Sequence, residues 1–140
     1  MTVWEKIFNI QIKNINLGEQ NRVTMRGLNK VTLIGNLGKD PEVQTLENEV
    51  KVAKFSVATT ESFKDDKGQS RTNTDWHSVV LWRSLADLTE KYLHKGSLAY
   101  VEGKLKTRSY DDKDGQKRYV TEVVAEQLIM LDKKENERDE

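Results

Sequence analysis

Apolar residues in this chain recur at every second position, in short blocks divided by glycine, proline and charged turn residues. That is the period of half-buried strands. Val31, Leu33, Gly35 and Leu37 alternate until Gly38 to Pro41 breaks the run. Val50 to Thr60 forms a second block, with Ala53, Phe55, Val57 and Thr59 on one face. The charged, glycine-containing stretch 64–72 predicts a long exposed loop. Thr74 to Trp82 predicts a third strand, dense in aromatic and β-branched residues. Ser84 to His94 carries a helical stripe through Leu85, Leu88 and Tyr92. Ser84 stands in N-cap position with Asp87 three residues on, and Gly96 follows as a stop signal. Leu98 to Arg108 predicts a fourth strand, and Arg118 to Ala125, extending to Leu131, a fifth. The Asp-Gly stretch 111–116 joins them as a hairpin loop.

Three strands, a helix and two strands place the chain in the all-β class. The order fits a five-stranded Greek-key barrel of the OB type, with one short helix between strands 3 and 4. A βαβ sheet would require more helices. The barrel domain is expected over 25–131. Residues 1–24 scatter their apolar positions without a period and read as an N-terminal extension upstream of a second start at Met25. With one arginine, no serine and two glutamates they do not resemble a mitochondrial transit peptide, and they lack a secretory apolar block. Residues 132–140 form a short charged tail.

Composition narrows the chemistry more than it selects a partner. The 140 residues contain no cysteine and two histidines, which removes thiolate and His-rich metal sites and cysteine nucleophiles. No apolar run approaches a membrane span. Lysine plus arginine and aspartate plus glutamate are equal at 23 each, so any electrostatic site must come from local placement. Gly38-Lys39-Asp40 lacks the remainder of a P-loop, and Asp111 to Gly115 fails the ligand positions of a calcium loop. No pair of carboxylates can be brought together from sequence, so the chain is expected not to be an enzyme.

The positive signal is a shared strand face. Trp76, Ser78, Val80 and Trp82 lie together on the third strand, while His77 points the other way beside Asp75. Lys104, Lys106 and Arg108 share a face of the fourth strand, continued by Tyr110, with Ala99, Val101, Gly103 and Leu105 opposite as core. Phe63 sits where the long loop leaves the second strand. Two tryptophans on one face more often belong to a core, and an alternating lysine row to a solvated surface. Their coincidence with Phe63, Tyr110 and the barrel order favours single-stranded nucleic acid, whose bases stack on rings while cations track the phosphates.

From Arg26 to about Leu131 the chain resembles the bacterial single-stranded DNA-binding proteins of the replicative, homotetrameric OB type. The resemblance runs through Leu28-Asn29-Lys30-Val31, Leu33-Ile34-Gly35-Asn36-Leu37-Gly38-Lys39-Asp40-Pro41-Glu42 and Ala58-Thr59-Thr60-Glu61-Ser62-Phe63. It continues through Thr74-Asp75-Trp76-His77, Tyr92-Leu93-His94-Lys95-Gly96, Tyr100 to Arg108 and Arg118-Tyr119-Val120-Thr121-Glu122-Val123. It implies binding and protection of single-stranded DNA in replication, recombination and repair, without cofactor, in the bacterial cytoplasm at the nucleoid. It further implies bases stacked on Phe63, Trp76, Trp82 and Tyr110, and basic contacts from Lys30, Lys106, Arg108 and Arg71, with Arg83 an added charge. Ser78, Ser84 and Ser109 stand where the family is often basic. His77 matches a position at the subunit interface of the tetramer. Family members usually end in an acidic tip closing with Pro-Phe; residues 132–140 have five acids and three bases but neither proline nor phenylalanine. Replication and repair proteins remain candidate partners, without the acidic Pro-Phe tip among residues 132–140. The competing readings are a restart-type accessory module of the same fold, binding ssDNA and proteins, and an OB-fold nuclease, for which the carboxylate cluster is missing.

Overall fold

The computed structural model describes residues 26–132. The expected extension over 1–24, and all but the first residue of the tail, lie outside the described residues. Six strands and one helix follow in order: β1 (Val31–Leu37), β2 (Glu42–Thr45), β3 (Lys51–Lys64), β4 (Ser70–Trp82), α1 (Ser84–Tyr92), β5 (Leu98–Asp111) and β6 (Lys117–Met130). The sheet order β1-β5-β6-β4-β3 closes because β3 also pairs with β1. Five strands therefore form a barrel, which leaves few unpaired edges. β4 and β6 run parallel, and the other pairings are antiparallel. Counting the five barrel strands in chain order, the helix lies between the third and fourth, as the sequence pattern predicts.

The alternating apolar positions point inward. Ala53, Phe55 and Val57 from β3, Val79 and Leu81 from β4, Ala99 and Val101 from β5, and Val123 and Ala125 from β6 form the core. Helix α1 adds Ala86, and Leu93 follows from the turn behind it. Lys51 ties the helix to β3, with its ammonium 2.8 Å from Asp87 and 2.6 Å from Glu90. Hydrogen bonds to Asp87 and then Glu90 hold Lys51 above the usual lysine range, and the same contact holds Asp87 below the usual carboxylate range.

Four local expectations require correction. The segment 64–72 is not a long loop: β3 continues to Lys64 and β4 begins at Ser70, so a tight turn joins two long hairpin arms. A short strand, β2, pairs with β3 where the sequence pattern gave none. Ser84 does not cap the helix; Arg83 occupies the N-cap at φ 57° with no side-chain cap bond, and Asp87 is engaged by Lys51. Leu105 is not core. It is 48% exposed, because β5 passes beyond the barrel after Gly103 and both of its faces meet solvent.

Candidate nucleic-acid interface

Strand register fixes which side chains share the outer surface. Val80 stands beside Val124 in the parallel β4–β6 pairing, and Val124 stands beside Lys104 in β5. Trp76, Ser78 and Trp82 have the parity of Val80, and Glu122 has that of Val124. Lys106, Arg108 and Tyr110 have the parity of Lys104. Both expected tryptophans, the basic row and Tyr110 thus face outward on one continuous surface. The core reading of the two indoles fails directly: Trp76 is 60% exposed and Trp82 43%, while Leu81 between them is fully buried.

Trp76 lies at the rim of a cleft of about 530 Å³, lined also by Gly38, Lys39, Lys54, Ser56, Ser78 and Glu122. The ring lies so close to Gly38 that a Cβ there would overlap the six-membered ring of the indole. The absent side chain therefore seats Trp76 in place. Trp82 and Arg83 line a second hollow with Leu46, Asn48 and Val50, about 450 Å³ in volume.

Carboxylates accompany most of the expected cations. Arg108 donates from Nε to Glu122 Oε1 at 3.0 Å, with Nη2 at 2.8 Å from the same oxygen. Lys104 is 3.8 Å from Glu126, and Lys30 is 3.3 Å from Glu102. The Tyr100 hydroxyl donates to Glu102 at 2.8 Å. That bond, then the one from Lys30, lowers the Glu102 carboxyl, and the same Glu102 contact raises the Tyr100 hydroxyl. Among the described residues, Lys106 and Arg83 have no carboxylate within salt-bridge distance.

Two expected residues stand apart from the tryptophan surface. Phe63 pairs with Arg71 across the β3–β4 arm, and Val57 with His77. All four have odd parity, opposite to that of Trp76. Phe63 and Arg71 therefore project from the other face of the arm, beyond the barrel, with Phe63 53% exposed. His77 is half-buried on that face, with Nε2 2.8 Å from the Thr59 hydroxyl.

Lys39 and Lys54 border Trp76 and were not singled out from the sequence. Lys54 was within reach, because it alternates with Ala53 and Phe55 and must face outward. Arg118 belongs to a repeated Asp-x-x-Gly-Gln-x-Arg string, at 65–71 and again at 112–118, which is visible in the sequence as an internal repeat.

Residues 28–131 match the profile described as the single-strand binding protein family. Single-stranded DNA-binding protein 1 of Chlorobaculum tepidum is 48% identical over 112 residues, covering 79% of this chain and 69% of that protein. The protein of the same name from Xylella fastidiosa is 45% identical over 113 residues, covering 80% and 83%. In three dimensions the chain resembles the Plasmodium falciparum SSB in complex with ssDNA, with TM-score 0.70 and 37% identity, covering 79% of this chain and all of that one. It also resembles a deletion mutant of the single-stranded DNA binding protein from Thermus aquaticus, with TM-score 0.66 and 34% identity, covering 76% and 52%. A match over the whole barrel, at such identities and with the same fold, leaves one assignment: the chain belongs to the single-strand binding protein family.

Proposed function

We propose that this protein binds single-stranded DNA without reading its sequence, and does so in replication, recombination and repair. The observation that carries the proposal is the outer surface on which Trp76 and Trp82 stand exposed in line with Lys104, Lys106 and Arg108. Rings accept any base and cations follow the phosphates, so the surface grips a strand and ignores its sequence. Phe63 and Tyr110 extend the stacking positions onto the two arms, and Lys30, Arg71 and Arg83 extend the basic ones. Fluorescence titration with oligo-dT and with duplex DNA of equal length tests the reading. Tight binding of oligo-dT alone is expected, and equal binding of duplex would overturn it.

The binding unit is a homotetramer of the 25–131 domain, acting in the bacterial cytoplasm. Register supports an interface: Ile34, Tyr100 and Ile129 align across β1, β5 and β6 on an outer face, and the two isoleucines are exposed. A row of large apolar side chains on a sheet face is a common sign of a buried partner. His77, turned from the tryptophan surface, matches the family position at the subunit interface. Sedimentation is expected to give a tetramer at micromolar concentration. A dimer would favour the restart-type accessory reading, and a monomer would remove the interface altogether.

Binding should weaken with salt although the net charge is zero. Each phosphate contact on a single strand contributes roughly −0.7 to the log–log salt slope. Lys106, which has no carboxylate partner among the described residues, is expected to contribute the full amount, so Lys106→Ala lowers the slope by about 0.7. Lys104→Ala should lower it less, because Glu126 already offsets that charge. Equal losses from the two variants would refute this ranking.

A further inference from the structure

The cleft beside Trp76 holds a carboxylate that neither stacking nor phosphate contact uses. Glu122 is the one buried acidic side chain among the described residues. It takes two bonds from Arg108, Nε at 3.0 Å and Nη2 at 2.8 Å, and both fall on Oε1. Oε2 takes none. No buried side-chain polar atom among the described residues lacks a partner, so Oε2 must meet open space. The space that Glu122 borders is the cleft. The other two carboxylates of that lining are placed otherwise. Asp40 accepts the Lys95 amide at 2.7 Å, and Glu42 is exposed opposite Lys54 on the β2–β3 pair.

Strand register sets this oxygen where a stacked base turns its edge. Val79 pairs with Val123 in the parallel β4–β6 contact, so Ser78 stands beside Glu122. Trp76 has the same parity two residues back, about 6.6 Å along the strand. Ser56 is opposite Ser78, and these two small side chains leave room between the ring and the carboxylate. A base lying on Trp76 over the cleft therefore presents an edge to Glu122. A carboxylate can only accept. Cytosine N4, adenine N6 and guanine N2 are amino groups that donate. Thymine and uracil have none, and they flank their N3–H with two carbonyl oxygens that a carboxylate repels. The contact is stronger here than in open water, because the Glu122 side chain is only 10% exposed and its charge is poorly solvated.

We propose that Glu122 reads the exocyclic amino group of the base stacked on Trp76, so that this one subsite prefers cytosine, adenine or guanine over thymine and uracil. The preference is local, one base along a grip that accepts every base, and it rests on the single-strand reading above.

The test compares short oligo-dC with oligo-dU, whose bases differ in the 4-substituent and the N3 proton, on the full chain and on Glu122→Gln. The ratio of dC to dU affinity is expected to fall about tenfold in the variant, the lower end for a hydrogen bond to a charged group. Glutamine keeps the size and still accepts from Arg108, so any loss common to both oligonucleotides cancels in the ratio. Arg108→Gln is the control: it should weaken both oligonucleotides and lower the salt slope while the ratio holds. A ratio that collapses with Arg108 would assign the preference to the guanidinium instead. Failure of the unaltered protein to bind either oligonucleotide would defeat the single-strand reading itself. Binding of both, with the same ratio in the unaltered protein and in folded Glu122→Gln, would overturn this inference alone. A measurement on the unaltered protein covers the case in which the variant does not fold. Oligomers of the pyrimidin-2-one deoxynucleotide, which is cytosine without its amino group, should bind about tenfold more weakly than oligo-dC. Equal binding of those two would overturn the assignment.

Discussion

Removal of both indoles, Trp76→Ala with Trp82→Ala, is expected to weaken oligo-dT binding by between about thirtyfold and twenty-thousandfold while the barrel stays folded. Stacking of one base on one ring is worth about 1–3 kcal/mol by alanine substitution. The two rings stand six residues apart on β4, about 20 Å at ~3.3 Å per residue, too far to share a base. At that separation their losses should add, giving about 2–6 kcal/mol, with each 1.4 kcal/mol a factor of ten. The fold should tolerate the change because neither ring is core. Leu81→Ala is the control from the opposite face of the same strand. That side chain is fully buried, so its truncation should cost about 2–5 kcal/mol of stability and leave affinity in the folded fraction intact. Melting temperature and oligo-dT titration of the two variants should therefore move in opposite ways. Early melting of the tryptophan variant with undiminished affinity would assign the rings to the fold instead.

Much of this surface could be read from sequence because a strand has a strict period of two. Once Val79 and Leu81 are core, Trp76, Ser78 and Trp82 must face outward. The same logic recovers the row Lys104, Lys106 and Arg108. Alternation stops informing where both faces of a strand meet solvent. Thr60 to Lys64 and Ser70 to Asp75 meet solvent on both faces and, Phe63 apart, carry polar residues on both, so they read as loop although they are paired throughout. Leu105 misled for the same reason, since its parity is that of the core but the barrel has ended. Ion pairs such as Arg108 with Glu122 depend on the β5–β6 register, which periodicity alone does not fix. The parallel contact of β4 with β6 joins segments far apart in the chain, and it alone brings Glu122 to the tryptophan cleft. The turn repeat is different: it is legible in full in the sequence but carries no apolar pattern.

Gly103→Ala is expected to damage the barrel severely, lowering the melting temperature by about 10 °C. At this residue β5 shifts register against β6: Glu102 is opposite Gln127 and Gly103 opposite Ala125, so Glu126 is left over as a bulge. The strands approach so closely that a Cβ on Gly103 would overlap the Val124 carbonyl oxygen and lie 3.0 Å from the Ala125 Cα. The obstacle is backbone, with no flexible side chain to swing aside, so the two strands must part. Replacing glycine by alanine would by itself favour folding by about 0.4–1 kcal/mol through the unfolded chain. Overpacking costs about 1–3 kcal/mol and more where backbone must move, so the crowding prevails. A net loss near 2 kcal/mol shifts a domain of this size by about 10 °C. Gly68→Ala provides the comparison, since its φ of 75° disfavours a side chain while the space around it is open. That variant should lose less stability. The damage at Gly103 should also reach binding, because β5 runs from it directly into Lys104, Lys106 and Arg108. Parting the strands there shifts the cation row relative to Trp76, and the folded fraction of Gly103→Ala should bind oligo-dT more weakly and with a reduced salt slope. A variant melting within two or three degrees of the parent would show that the strands can part without cost.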